Sequence, residues 1–462
     1  MTISLFGGPR SAAIDALHAA TAIYTAAATV DELLGRLTWP VGNRRLVDPS
    51  CGDGMFLERA LRRLLTGTND RLNRDRLLDL IEGWEIHPHA AYEARRRVAG
   101  VLVEHGWTSA AADEIAGELV KNQDFLTDGP SEPCYDVVAG NPPYLIWTRV
   151  PALLRDEYAL SVSQDARADL LHSFLDRCER CLRDNGEIGL VSADRWLLNQ
   201  GARRLRARLG ERLAIAHLER LDPRSCFYQP KTRARATPPR VHPVAVVLRQ
   251  ATAGGIPLTA DAIYPDDLHA HLRPVGPVLG DIARVRLAPW LGSKGIFVVD
   301  QQVAQRLPPE CLRPAVDTDD ISNGVLQAPK RYAILTQPGE QPPAVVVQHL
   351  QTTLHSMAPR GRRNPFWLPP ETFHMMDLSQ PSLIVPRIAR QLRPIKVPAG
   401  VLPINHNLSI VSSAASTLEE IEQVLSSDAA AAWVQARAPR LENGFYSLTT
   451  TLLRQLPVTY QR

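Results

Sequence analysis

Between residues 44 and 250, short runs of apolar residues alternate with stretches in which apolar residues recur every three or four positions. The short runs include Leu46–Asp48, Leu80–Gly83, Val137–Gly140, Gly186–Ser192 and Val244–Leu248. Buried strands read as such runs, and the intervening periodicity is that of amphipathic helices. The alternation predicts an α/β doubly wound sheet. Residues 1–35 read as helices entering that fold. A helix is expected from about Met55 and another opening at Asp169. Gly254-Gly255, Pro257 and Pro265-Asp266-Asp267 cluster after position 250, and such punctuation marks a boundary. Beyond it prolines become frequent, apolar runs shorten and helical periodicity is rare until about 417–437. The expected organisation is a first domain over 1–250, a linker over 251–279 and a second, β-rich domain over 280–462.

Charge sharpens this division. Residues 1–220 carry 27 Lys and Arg against 31 Asp and Glu, a net of −4, whereas residues 221–462 carry 25 against 18, a net of +7. A basic second half suits a phosphate backbone. No run approaches the roughly 20 apolar residues that span a bilayer, and Met1–Gly8 shows no charged start followed by an apolar core. A cytoplasmic protein of a prokaryotic cell, associated with the nucleoid, is expected. Six cysteines in 462 residues do not make a disulfide framework. Cys178 and Cys181 have C-x-x-C spacing but no second ligand pair, so they read as structural and no metal is expected.

The chemistry concentrates at strand ends. One apolar run stops at Asn141-Pro142-Pro143-Tyr144. Two prolines fix φ and cannot continue a ladder, so the strand presents a rigid tip. The Asn141 amide oxygen and the Pro142 carbonyl are two acceptors suited to an exocyclic amino group, and the Tyr144 ring can stack on the flat base carrying it. Earlier, Leu46-Val47-Asp48-Pro49-Ser50 runs into a Gly52-Asp53-Gly54 turn, where glycines allow close backbone approach to a ligand. Ligands bind at strand carboxyl ends in open α/β sheets. Leu57 stands where a dinucleotide fingerprint has its third glycine, and no Gly-Lys-Ser/Thr follows for a phosphate loop. Two further strand ends are acidic: Glu85-Ile86 and Asp124-Phe125.

This order of motifs resembles the gamma-class N6-adenine DNA methyltransferases of restriction–modification systems. The resemblance is strong over 46–144, moderate over 169–250 and loose over 280–458. It implies a Rossmann-like S-adenosylmethionine-dependent methyltransferase sheet followed by a C-terminal target-recognition domain. The cofactor is then S-adenosylmethionine, contacted by Thr25, Asp48, Ser50, Gly52, Gly54, Glu85, Ile86, Asp124, Phe125, Asn141 and Phe174. The family usually has Tyr-Thr-Pro where this chain has Tyr24-Thr25-Ala26. Asn141, Pro142 and Tyr144 are the implied catalytic residues. The target base is flipped out of the duplex at a cost of a few kcal/mol, of which stacking on Tyr144 offsets ~1–3 kcal/mol. Phe227, with Tyr228 as the alternative, is the implied second aromatic against that base, and the basic run Lys231–Arg240 is an insertion relative to the family.

The implied partner is double-stranded DNA, with a separate nuclease or defence-system subunit as a further partner. Nine cations fall within residues 321–400 against three acids, which makes this the expected reading surface. Arg362, Arg363 and Arg393 are chosen because arginine reads guanine edges. Two other readings use the same motif. Asn-Pro-Pro-Tyr serves methylation of a protein glutamine or a ribosomal RNA adenine, although such enzymes usually lack a large second domain. A non-catalytic DNA-binding subunit would have no need of an intact Asn141–Tyr144.

Overall fold

The computed structural model describes residues 8–67, 72–228, 242–268, 276–322, 324–413, 416–441 and 444–458. The Lys231–Arg240 run lies outside them. The chain forms two compact units, 1–271 and 272–462.

The first unit is built on an eight-stranded sheet. Its strands are β1 (Leu46–Asp48), β2 (Ile81–Trp84), β3 (Val120–Lys121), β4 (Tyr135–Gly140), β5 (Leu182–Ala193), β6 (Leu213–Arg220), β7 (Pro243–Gln250) and β8 (Ile256–Pro257). Their order across the sheet is β8-β6-β7-β5-β4-β1-β2-β3. The pairs from β3 through β5 are parallel, and β7 joins β5 antiparallel. This is the α/β sheet the alternation predicts. β1 and β2 are buried along their whole length, as parallel strands covered on both faces must be. Register levels their carboxyl ends, with Asp48 opposite Gly83 and Gly83 opposite Val120.

Helices cover both faces. α1 (Pro9–Thr21) and α2 (Ala27–Gly35) precede the sheet, α3 (Met55–Gly67) follows β1, α4 (Pro88–Glu104) follows β2 and α5 (Leu170–Arg180) precedes β5. α3 buries Phe56, Leu57, Ala60, Leu61 and Leu64, a stripe at helical spacing facing the sheet. Cys178 is buried on α5, and Cys181 is buried immediately after it. One contact between distant segments was not legible in the sequence: Tyr24-Thr25 pairs antiparallel with Phe227-Tyr228. The stretch expected to begin a linker at 251 instead continues the first unit. β8 hydrogen-bonds to β6, and Leu258 and Ile263 are buried in its core.

The second unit is β-rich. One antiparallel sheet orders strands Ala283–Leu287, Leu408–Ser412, Ser382–Val385 and Ile395–Val397, and another orders Val298–Asp300, Arg331–Ile334, Leu312–Val316 and Leu402–Pro403. The helical periodicity over 417–437 resolves into two helices, Leu418–Ser426 and Asp428–Arg437. Ser427 separates them and caps the second by accepting from the Ala430 N–H, a role that suits a hydroxyl at a helix start.

Candidate active site

The loops at the carboxyl ends of β1, β2, β3 and β4 surround a cleft, closed on one side by α1 and the residues after it. Thr25, Asp48, Ser50, Gly52, Glu85, Ile86, Asp124, Phe125, Asn141 and Phe174 all line it. Ten residues spread over 150 positions of chain thus meet in one place.

Three carboxyl groups give the cleft its electrostatic character. Asp48 is fully buried, and burial pushes it well above the usual carboxylate range although it accepts the Ser50 N–H at 3.1 Å. Glu85 is pushed up to about 7, again by burial, against the pull of the His87 N–H at 2.8 Å and the Gly52 N–H at 2.9 Å. Those two bonds fix both carboxylate oxygens to the loops of β1 and β2. Asp124 is raised to about 6 by burial; it accepts the Leu126 N–H at 3.0 Å and has the Arg10 guanidinium 3.8 Å away. Three acids deprived of water destabilise their own charge and favour a ligand that brings positive charge or hydroxyl donors. Beside Asp124, the Phe125 and Phe174 rings are parallel, with centroids 6.3 Å apart and an interplanar angle of 9°. They give the cleft flat apolar walls.

Polar atoms left without partners point the same way. The Thr25 and Ser50 hydroxyls and the Asn141 Oδ1 are buried and have no hydrogen-bond partner among the described residues. Such atoms are costly unless a ligand satisfies them. The amide of Asn141 is oriented by its Nδ2, which donates to the Ile23 carbonyl at 3.1 Å, so Oδ1 is the end left free. These orphaned acceptors, the acidic surroundings and the apolar walls fit a cationic nucleoside such as S-adenosylmethionine.

Other expected residues lie elsewhere. Gly54 does not line the cleft. Its φ is +87°, and an added Cβ would stand 2.8 Å from the Ala94 Cα, so the glycine is required by contact with α4. Gly52, at φ +56°, does line the cleft, and there a Cβ would meet the Tyr24 ring. Pro142 is buried off the cleft, and Pro143 lines it instead. Tyr144 is 8% exposed and packs in the first unit's core, its hydroxyl unpartnered. Phe227 is 9% exposed, pairs with Thr25 and packs into a second core cluster. Tyr228 donates its hydroxyl to Asp53, which also accepts from Arg97 at 2.9 Å. Neither aromatic ring of that pair lines the cleft, because backbone pairing with Tyr24-Thr25 fixes both.

In the second unit, Arg362 donates to the carbonyls of Met357 and His355 at 3.1 and 2.9 Å. Through these two bonds its guanidinium holds its own loop. Arg363 and Arg393 are exposed and form no ion pair among the described residues. Several cleft residues were not singled out as site residues in the sequence, among them Leu17, His18, Tyr24, Tyr158 and Leu170. Only Tyr24 had a local signal, its place beside Thr25; the others arrive through helix placement. Among the described residues no cluster of His, Cys, Asp and Glu is arranged to hold a metal, and no helix is long and apolar enough to cross a membrane.

The first unit is an open α/β sheet with a ligand cleft at the ends of its strands. Residues 75–227 match the Eco57I restriction-modification methylase family. The chain is 25% identical to the Type II methyltransferase M.PaeR7I of Pseudomonas aeruginosa, over 96% of this chain and 86% of that protein. It is 25% identical to M.XhoI of Xanthomonas vasicola, over 90% and 86% respectively. Among solved structures, the Type IIL restriction-modification enzyme MmeI in complex with DNA superposes with a TM-score of 0.58 at 15% identity. That match covers 89% of this chain and 62% of MmeI, so this chain spans less than two thirds of that enzyme.

Proposed function

We propose that this protein transfers a methyl group from S-adenosylmethionine to the N6 atom of adenine in double-stranded DNA, as the modification component of a restriction–modification or phage-defence system. The observation that carries the reading is the unpartnered Asn141 Oδ1, held at the end of β4 in a cleft lined by three buried acids. Glu85 and Asp124 would hold the ribose and adenine of the cofactor, with Phe125 and Phe174 against its ring. Asp48 and Ser50 support the loop around it, and Thr25 offers its free hydroxyl. Bound there, S-adenosylmethionine would supply an electrophilic sulfonium methyl.

The chain's own residues then act on the second substrate. Adenine N6 is a weak nucleophile because its lone pair is delocalised into the ring. Asn141 Oδ1 and the Pro142 carbonyl accept its two amino protons and favour a tetrahedral nitrogen. Positioning of that nitrogen supplies much of the rate. The Tyr144 ring is a stacking partner for the base once a rotation uncovers its face. The second unit, with its basic composition, is the proposed target-recognition domain, and Arg363 and Arg393 are its proposed DNA contacts.

Labelled methyl transfer to duplex DNA, run beside cofactor calorimetry, tests this. Wild type is expected to label DNA. Asn141→Ala is expected to lose at least about 100-fold in transfer, the scale on which one preorganised polar group acts in catalysis, with cofactor affinity within about twofold of wild type. An equal loss of cofactor affinity would assign Asn141 to the cofactor rather than to the target amine.

A further inference from the structure

We propose that the first unit carries its own docking face for duplex DNA, on which Ile146 is a wedge that enters the base stack and Arg203 and Arg204 hold flanking phosphates. The inference rests on the DNA reading above and adds residues to it. Ile146 stands two positions beyond Tyr144 and is 45% exposed. A single exposed isoleucine is ordinary, but the backbone on both sides of this one is held by hydrogen bonds. Leu145 donates its N–H to Asp169 Oδ1 at 3.1 Å, and the Leu145 carbonyl accepts from Leu170 at 2.8 Å. Trp147 donates to the Ala168 carbonyl at 3.2 Å, and the Ile146 carbonyl accepts from Arg149 at 2.8 Å. Asp169 is itself fixed by the Leu171 N–H at 3.2 Å and by Arg195 at 3.3 Å. The backbone on both sides is therefore tied down while a β-branched side chain, stiff at χ1, projects into solvent beside the residues proposed to take the flipped base.

The adjoining surface carries uncompensated positive charge. Ala168, which receives the Trp147 N–H, also lines a groove with Gln164, Gln200, Arg203 and Arg204. Arg203 and Arg204 are exposed, and their side chains form no hydrogen bond or ion pair among the described residues. The groove's other charges are already engaged. Arg167 donates to the carbonyls of Ala159 and Val162, and Asp165 pairs with Arg208 at 3.0 Å. An apolar wedge between base steps, flanked by cations on phosphates, is how proteins open a duplex. A duplex offers the slot and the anions together, whereas an acidic protein surface offers only the anions.

The full-length chain tests this once its modified site has been mapped on DNA that it has methylated. Two duplexes carrying that site are compared, one fully paired and one with an abasic position opposite the target adenine. Ile146→Ala should lower kcat/KM about tenfold on the paired duplex and about twofold or less on the abasic one, because an unpaired base needs little help to leave the stack. Cofactor affinity should stay as in wild type, and Ile146→Leu should restore most of the rate. With 2-aminopurine at the target position, the fluorescence rise on binding should be lost in Ile146→Ala. Equal losses on both duplexes would overturn the wedge. The double variant Arg203→Ala, Arg204→Ala should reduce the slope of log affinity against log salt by nearly 2, at about 0.9 per phosphate. An unchanged slope on DNA, or a reduced slope only on polyglutamate, overturns the phosphate role. Wild type that neither binds nor methylates DNA refutes the DNA reading itself, a result visible without any variant.

Discussion

Glu85 is buried at the junction of two loops, with a backbone N–H on each oxygen, yet burial still holds its pKa near 7. Its ionised form is the better acceptor for hydroxyl donors and the better neighbour for a sulfonium cation. Binding that favours the ionised form must release a proton wherever the free group is protonated. Cofactor affinity is therefore expected to rise with pH through about 7 and level off above it. If only the ionised form binds, affinity at pH 6 should be about tenfold below the plateau, one pH unit under the midpoint. Asp124, near 6, should steepen the loss below pH 6. Calorimetry from pH 5.5 to 8.5 checks this, and affinity flat across that range would mean that neither acid faces the cofactor. The acids were legible in the sequence because each lies at or just beyond the end of a short strand. The surroundings of Gly54 and Phe227 were not legible for the converse reason: Ala94 on α4 and Thr25 on a distant ribbon come from remote parts of the chain.

Among elements, the loop after β4 and the start of α5 form one device. Asp169 caps α5 through the Leu171 N–H and at the same time accepts the Leu145 N–H just beyond Tyr144. Loss of a cap alone costs ~1 kcal/mol, whereas a loop displaced by an ångström can cost about 100-fold in rate. Asp169→Ala is accordingly expected to lower stability by about 1–2 kcal/mol and methyl transfer by far more than that change in folded fraction explains. Thermal unfolding and single-turnover transfer on the same preparation separate the two effects. Transfer falling only in proportion to stability would leave Asp169 as a helix cap and nothing more. The sequence marked the start of α5 through Asp169, and the Asn-Pro-Pro-Tyr tip through its prolines. That the two are joined was not readable, because the bond spans 24 positions and neither residue type is unusual in its place.

At the scale of the whole molecule, charge and chemistry are divided along the chain. Every proposed cofactor contact falls before 175 and the excess positive charge falls after 220. The sheet of the first unit does not close until β8, and Leu258 and Ile263 complete its core. A chain ending at 268 should therefore bind cofactor as wild type does, while a chain ending at 250 exposes that core and is expected to be unstable. The 268-residue chain should lose preference for the modified site and keep only weak, salt-sensitive affinity for any duplex. Competition binding with specific and scrambled duplexes measures this, and full site preference in the shorter chain would move target recognition out of the second unit. The punctuation after 250 was visible in the sequence, but its glycines and prolines mark a turn into a last edge strand. Two-residue strands carry no periodicity from which to recognise them.

The central claim is that the methyl group goes to adenine N6 in DNA. Its most direct test is to incubate the full chain with duplex DNA and isotopically labelled S-adenosylmethionine, digest the DNA to nucleosides and identify the labelled one by mass spectrometry. The expected product is N6-methyldeoxyadenosine, formed by wild type and absent with Asn141→Ala. Label appearing in N4-methyldeoxycytidine or 5-methyldeoxycytidine, or only in RNA or protein supplied alongside, would contradict the account.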